Sequence, residues 1–140
     1  MASVTGGHGL EPAQVEVAGK FLRDRLSPHL IVLFGSAATG KAFRPESDVD
    51  LAFLRDGFLN DYDRFLLAQE LAVILGREVD LIDLDRASTV LRAEVIRTGR
   101  TVYEGDRGRA MFWRMRALKD YALLNEERAP VIRRLKGHAR

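Results

Sequence analysis

Apolar and polar residues follow one another along this chain in blocks that predict helices separated by short strands. A helix opens at Pro12, where proline is tolerated in the first turn, and Ser27-Pro28 ends it. The continuous apolar run LIVLF at 30–34 then predicts a strand that is buried on both faces, and Gly35 ends that strand.

The segment 48–54 predicts a second strand with two different faces. Because side chains alternate along a strand, Val49, Leu51 and Phe53 point to one side. The opposite side carries Asp48, Asp50, Ala52 and Leu54. Two carboxylates therefore share one face at the start of this strand, which is costly in a cleft unless a cation lies between them.

The rest of the chain continues the alternation of helices and strands. We expect, in order, a short helix within 37–43, a helix over 61–75, a strand over 78–84, a helix capped by Ser88 or Thr89, a strand at 101–103 and an amphipathic helix from Arg109 onward. The pattern predicts an α/β (α+β) fold, a small and partly parallel mixed β-sheet flanked by helices.

The length of 140 residues fits a single domain. We expect a flexible N-terminus over 1–10, the folded domain over 11–106 and a basic C-terminal helix over 107–140 that packs on the domain, on a partner or on both.

Residues 1–106 hold 12 Lys and Arg against 17 Asp and Glu, a net −5, whereas residues 107–140 hold 10 against 3, a net +7. The basic segment suits an acidic partner or nucleic acid. Its apolar stripe favours a protein partner over direct nucleic-acid binding.

Composition excludes two classes of protein. The chain has no cysteine, so it has neither a disulfide framework nor a thiolate metal site. Its longest apolar run is far too short to span a bilayer, and its N-terminus lacks the pattern of a secretion signal. We expect a protein without membrane contact, located in the cytoplasm.

The candidate chemistry lies between the first two strands. Asp48 and Asp50 supply the oxygen ligands that Mg²⁺ or Mn²⁺ prefers. Gly35 permits a tight turn after the buried strand, and Ser36 then begins a short helix whose free N–H groups and hydroxyl favour an anion. A phosphate chain held at Gly35-Ser36, with its metal held by the aspartates, is an arrangement for phosphoryl or nucleotidyl transfer.

A third carboxylate commonly completes such a two-metal site. The segment EVDLIDLD offers Asp80, Asp83 and Asp85, of which Asp85 suits a turn. Alternation puts Asp80 and Asp83 on opposite faces of the strand, and periodicity alone does not choose between them.

The segment GSAATGKAFRPESDVDL resembles the Gly-Ser…Asp-x-Asp signature of the minimal nucleotidyltransferases of the polymerase-β-like superfamily. The likeness extends through GREVDLIDLDRASTVLRAEVIRTGRTVYEGD, and in particular the chain is similar to the antitoxins of MNT/HEPN toxin–antitoxin pairs. The resemblance implies the nucleotidyltransferase fold, with the nucleotidyltransferase domain over 11–106.

The resemblance also implies a site and a reaction. Asp48, Asp50 and Asp80 would be the catalytic and metal-binding carboxylates, with Asp80 selected by the family match, and the nucleotide would be bound by Gly35, Ser36, Lys41 and Ser47. The cofactor would be Mg²⁺ or Mn²⁺, and the substrate ATP. AMP would be attached to a tyrosine of a HEPN RNase toxin, which silences the toxin within a hetero-oligomer.

Two departures from the family pattern bear on activity. Eleven residues, 37–47, separate Ser36 from Asp48 where the family usually has ten, and Thr39 stands where the family often has arginine, which leaves phosphate contacts to Lys41, to Arg44 or to no residue. These departures leave open an antitoxin that neutralises by binding, with weak or no catalysis. A further alternative keeps the chemistry and changes the acceptor to a small molecule such as an aminoglycoside.

Overall fold

The computed structural model describes residues 9–138, so the predictions for residues 1–8 and 139–140 lie outside the described residues. Helices and strands alternate along the chain as the sequence pattern predicts. In chain order they are α1 (Pro12–Leu26), β1 (Leu30–Phe34), α2 (Ser36–Thr39), β2 (Val49–Leu54), α3 (Asp61–Leu75), β3 (Val79–Asp83), α4 (Thr89–Thr98), β4 (Arg100–Glu104) and α5 (Arg107–His138).

The four strands form one mixed sheet in the order β3-β2-β1-β4. Strand β1 is antiparallel to both of its neighbours, β2 and β4, whereas β2 and β3 are parallel. The predicted fold class, a small mixed sheet flanked by helices, is therefore confirmed. Within 9–138, no helix combines the length and the apolar character needed to cross a bilayer.

Each face of the sheet carries its own apolar core. Val49, Leu51 and Phe53 pack with buried residues of α1 and α3, whereas Ala52 and Leu54 pack with α4 and α5. The predicted alternation of strand β2 is confirmed. Asp50 lies on the same face as Ala52 and Leu54, so its carboxylate belongs to the side of the sheet that α4 and α5 cover.

The ends of the helices follow from their capping residues. Pro12 occupies the first turn of α1, and Ser88 is the cap of α4, its side chain accepting the N–H of Leu91 at 3.1 Å. Gly76 ends α3 in the left-handed conformation, φ +69°, as its position after the apolar stripe predicts.

Helix α5 begins at Arg107, two residues before the predicted start, and packs against the sheet through Ala110, Trp113 and Ala117, which are all buried. The methionines of its other face are exposed, Met111 by 62% and Met115 by 64%. The predicted apolar stripe thus lies mostly outside the core. The division of the chain at 106/107 stays a prediction.

The part of the predicted flexible N-terminus that the structure describes includes a buried residue. Leu10 is 4% exposed, belongs to the core between the sheet and α1, and donates its N–H to the carbonyl of Ala37 at 2.9 Å. The chain just before α1 is thereby attached to the short helix α2.

Candidate active site

The sheet brings the predicted site residues together at one of its ends. Because β1 runs against β2, and β2 runs with β3, the last residue of β1 and the first residues of β2 and β3 lie side by side. Phe34 is the register partner of Asp50, and Asp50 is the register partner of Asp80. Register partners point to the same face, so Asp50 and Asp80 project together next to the Gly35 turn.

Asp48 lies just outside the strand that the sequence pattern assigned to it. Strand β2 begins at Val49, whose N–H donates to the carbonyl of Glu78 at 2.9 Å, so the predicted start at Asp48 is wrong by one residue. The reason is that Asp48 has no strand partner: the pairing with β1 ends at Asp50, opposite Phe34, and the pairing with β3 begins at Val49. The side chain is exposed, and its charge reaches Asp50.

The electrostatics of the cluster centre on Asp50. Burial of its carboxyl group, and next the negative charges of Asp80 and Asp48, raise its pKa to about 6. A half-buried carboxylate repelled by two exposed ones favours a cation. Among the described residues, no three acidic or histidine side chains already surround a common point at ligand distance, so a bound cation requires rotation of the exposed Asp48 and Asp80.

Gly35 lies directly against this carboxylate. Its φ of +70° is in the left-handed region, and a Cβ added there would be 2.5 Å from Oδ2 of Asp50. Two independent constraints, the turn and the close approach, therefore require glycine. The turn was predicted from the sequence, and the contact with Asp50 was not.

Ser36 begins α2, a helix of four residues. Ala38 and Thr39 are the first residues of the helix whose N–H groups bond to the preceding turn. They donate to the carbonyl of Gly35 at 3.0 and 3.1 Å. The N–H group of Ser36 precedes them and has no acceptor within the helix. This donor and the Ser36 hydroxyl lie at the half-buried start of α2, next to Gly35, whereas Ala37 is fully buried.

Lys41 and Ser47 lie on the loop between α2 and β2. The Lys41 side chain is exposed, and its backbone N–H donates to the Thr39 hydroxyl at 3.2 Å. The Ser47 hydroxyl accepts the N–H of Arg44 at 2.9 Å, so it is engaged in closing the loop. Nucleotide binding by either side chain stays a prediction.

Asp83 is set apart from the cluster. It is 8% exposed, lies near the other end of β3, and accepts the N–H of Asp85 at 3.0 Å. Its neighbour Leu81 belongs to the core under α1 and α3, whereas Asp80 faces the other side. The geometry thus separates the two candidates that periodicity left open, and Asp80 is the one beside Asp50.

Comparison with known proteins agrees with this geometry. Residues 17–108 match the family model described as polymerase beta, nucleotidyltransferase. The chain belongs to that nucleotidyltransferase family. It is also 38% identical over 114 residues to the protein adenylyltransferase MntA of Shewanella oneidensis, a match that covers 81% of each chain. All the site residues named above lie inside the stretch that the family model matches.

Solved structures of nucleotidyltransferase chains extend the comparison to the fold. A chain of a toxin–antitoxin crystal structure with AMP-PNP is 34% identical, with a TM-score of 0.77 over 88% of this chain and 98% of that one. A chain of the complex between tri-AMPylated Shewanella oneidensis HEPN toxin and MNT antitoxin is 31% identical, with a TM-score of 0.74 over 89% and 97%.

One contact of this nucleotidyltransferase site was missed by the sequence reasoning. The hydroxyl of Thr98, at the end of α4, accepts the N–H of Gly35 at 3.2 Å and donates to the carbonyl of Glu94 at 2.9 Å. The two partners of the first bond are 63 residues apart. No local pattern around Thr98 indicates it, because a threonine at a helix end commonly bonds only to its own helix.

Proposed function

We propose that this chain is an antitoxin-type adenylyltransferase that transfers AMP from ATP to a hydroxyl group of a HEPN RNase toxin, a tyrosine hydroxyl, and so neutralises the toxin. The observation that carries the proposal is the register of β2 and β3, which sets Asp50 beside Asp80. Asp48 and the Gly35-Ser36 turn lie next to that pair, in a chain 38% identical to the protein adenylyltransferase MntA.

The donor set fits a divalent metal ion. Asp48, Asp50 and Asp80 are hard oxygen ligands, and Mg²⁺ or Mn²⁺ is the cation that such a set selects. Burial, and next the charges of Asp80 and Asp48, raise the pKa of Asp50, so a cation there is favoured. When bound, the ion would supply positive charge that offsets the negative charge developing on the transferred phosphate group and on the leaving pyrophosphate. We assign the three aspartates as its ligands.

The chain's own residues have separate roles in the transfer. The N–H group and the hydroxyl of Ser36, next to the Gly35 turn, bind the triphosphate, and Lys41 adds positive charge from the loop. Asp80 is exposed and accepts the proton of the attacking hydroxyl. The oxygen of that hydroxyl bonds to the α-phosphorus of ATP, the bond from that phosphorus to the bridging oxygen breaks, and pyrophosphate leaves.

The toxin is the partner that we assign to helix α5. Met111, Phe112, Met115 and Leu118 are all more than half exposed, and Arg107, Arg109 and Arg116 accompany them. A mostly apolar helix face flanked by arginine is typical of a protein–protein interface. A hetero-oligomer located in the cytoplasm, where ATP is available, belongs to this proposal.

A second candidate function is neutralisation by binding alone. The exposed face of α5 favours it, because that face is available for docking whether or not the aspartates act. Thr39 in place of the family's arginine, and the eleven residues 37–47, weaken the phosphate site and point the same way. The two candidates differ in whether neutralisation needs ATP.

The test uses the purified chain, a HEPN RNase toxin and ATP labelled at the α-phosphate. We expect label on the HEPN protein in the presence of Mg²⁺, and none with Asp48→Asn/Asp50→Asn. Circular dichroism checks that the double variant is folded, which we expect because it removes like charges from one cluster. Equal labelling by the double variant would exclude the aspartates from the reaction.

A further inference from the structure

The loop that precedes Asp48 is closed on itself. Ser47 donates its N–H to the carbonyl of Arg44 at 3.0 Å, and Arg44 donates its N–H to the Ser47 hydroxyl at 2.9 Å. These bonds form a turn over 44–47 but leave it no attachment to the rest of the fold. Because Asp48 follows at once, the direction of its carboxylate depends on what holds this turn.

Arg77 holds the turn from the junction of α3 and β3. Its Nη1 donates to the carbonyl of Arg44 at 2.7 Å and to that of Ser47 at 3.1 Å. Its guanidinium also lies over the ring of Phe43, 4.2 Å from the centroid. The half-buried Arg77 side chain thus contacts both ends of the turn. Its planar guanidinium can donate two hydrogen bonds and stack on an aromatic ring at the same time.

The backbone of Arg77 is itself fixed. Its N–H and that of Gly76 both donate to the carbonyl of Ala72, at 3.2 and 2.8 Å, in the C-terminal cap of α3. The next residue, Glu78, accepts the N–H of Val49. The backbone of Arg77 is therefore fixed by the cap of α3 on one side and by the pairing of β3 with β2 on the other.

We propose that Arg77 is a positioning residue for the metal site: it orients Asp48 by fixing the peptide group that joins Ser47 to Asp48. The proposal rests on the proposed function in that it takes Asp48 as a metal ligand. Arg77 acts through the Ser47 carbonyl, whose carbon is bonded to the amide nitrogen of Asp48. Without the hydrogen bonds of Arg77, the backbone at Asp48 is free to turn the carboxylate away from Asp50 and Asp80.

The chain contains a matched arginine at the opposite end of the sheet. Arg92, also half-buried, donates to two backbone carbonyls, that of Leu84 at 3.0 Å and that of Asp85 at 2.9 Å. Arg92→Met removes the same kind of contacts as Arg77→Met, far from the aspartates. A merely structural role for Arg77 predicts equal consequences for the two variants.

The experiment measures binding of Mn²⁺ to the full chain by electron paramagnetic resonance titration in the presence of AMP-PNP, together with the melting temperature. We expect Arg77→Met to raise the Mn²⁺ dissociation constant about tenfold, as loss of a group that orients a metal ligand does. Arg92→Met should keep the parental dissociation constant at a similar loss of melting temperature. Arg77→Lys should lie between the parent and Arg77→Met, because an ammonium donates to the carbonyls without stacking on Phe43.

If Arg77→Met does not fold, Arg77→Gln serves the same comparison, since one amide does not reach both carbonyls. Parental Mn²⁺ binding by the folded variant, or equal weakening by Arg92→Met, would overturn the role of Arg77. The proposed function fails in a different way: the parent and Arg92→Met bind Mn²⁺, Asp48→Asn does not, and none of them labels the HEPN protein.

Discussion

Gly35 and Asp50 are in contact across the end of the sheet, and a Cβ on Gly35 would lie 2.5 Å from Oδ2 of Asp50. This relationship ties the turn of the phosphate site to the central carboxylate. A larger residue at position 35 would therefore displace the Asp50 carboxylate.

Gly35→Ala therefore tests the close approach. The added methyl displaces Asp50 and strains a positive φ, and we expect AMP transfer to fall about 100-fold, as for a misplacement of about 1 Å at a reacting centre. Gly57→Ala is the control, because Gly57 has φ +85° with no atom within 4 Å of its Cβ position. It should lose stability through backbone strain alone and keep the parental rate. Equal rates for the two variants would contradict the account.

Alanine variants of Asp80 and Asp83 should differ in the property that they lose, activity for Asp80 and stability for Asp83. Asp80→Ala removes an exposed carboxylate beside Asp50, so transfer should be lost while the melting temperature is kept or raised. Asp83→Ala removes the acceptor of the part-buried N–H of Asp85, at a cost of about 1 kcal/mol, and should keep the parental rate per folded molecule. Labelled-ATP assays and thermal denaturation measure both. If Asp83→Ala is the inactive variant, the assignment of the third carboxylate is wrong.

The raised pKa of Asp50 predicts how stability depends on pH. Between the ordinary value of 3.8 and about 6, the folded carboxyl group holds more proton than the unfolded one, so stability falls as pH rises through this window. Asp50→Asn should therefore be more stable than the parent at pH 7.5. Discounted for solvent screening, the gain is on the order of 1 kcal/mol.

The measurement is thermal denaturation of the parent and Asp50→Asn in EDTA from pH 4 to pH 8. The difference between them should shrink as the pH approaches 4, and added Mg²⁺ with ATP should stabilise the parent only. Asp24→Asn, a change in an exposed pair with Lys20, is the control with no such trend. A difference that is constant across the pH range would show that Asp50 is not the group responsible.

Helix α5 should bind the toxin through its exposed face. Met115→Asp places a charge on that face and should weaken toxin capture at least tenfold, on the order of a hot-spot residue, with little change in melting temperature. Val73→Asp, the same charge change at a position 83% exposed on α3, is the control. Trp113→Ala should instead destabilise the chain, since Trp113 is buried in the core. Undiminished capture by Met115→Asp, with tight and salt-sensitive RNA binding by the parent, would favour an RNA interface.

The sequence allowed prediction of those features that depend on local pattern. Alternation of apolar residues at 49, 51 and 53 against Asp50 sets the faces of β2, and single capping residues such as Ser88 set helix ends. The contact of Thr98 with Gly35 was not predictable, because it joins residues 63 positions apart.

The face that α5 buries was also not predictable from its composition. Ala110 and Ala117 are small enough to let the helix pack closely against α4 around Trp113, while the larger Met111 and Met115 remain exposed. Hydrophobicity alone ranks the methionines above the alanines for burial. Which side of α5 is buried depends instead on how closely the helix approaches its neighbour α4, a property of the whole fold.

Neutralisation of the toxin, as proposed above, is a covalent transfer of AMP. It is tested by the intact mass of the HEPN protein after co-expression with the parent or with Asp48→Asn/Asp50→Asn, followed by peptide mapping. We expect the added mass of one or more AMP groups on tyrosine with the parent and an unmodified toxin with the double variant. An unmodified toxin in both cases, with both forms neutralising it equally, would exclude covalent transfer and establish neutralisation by binding alone.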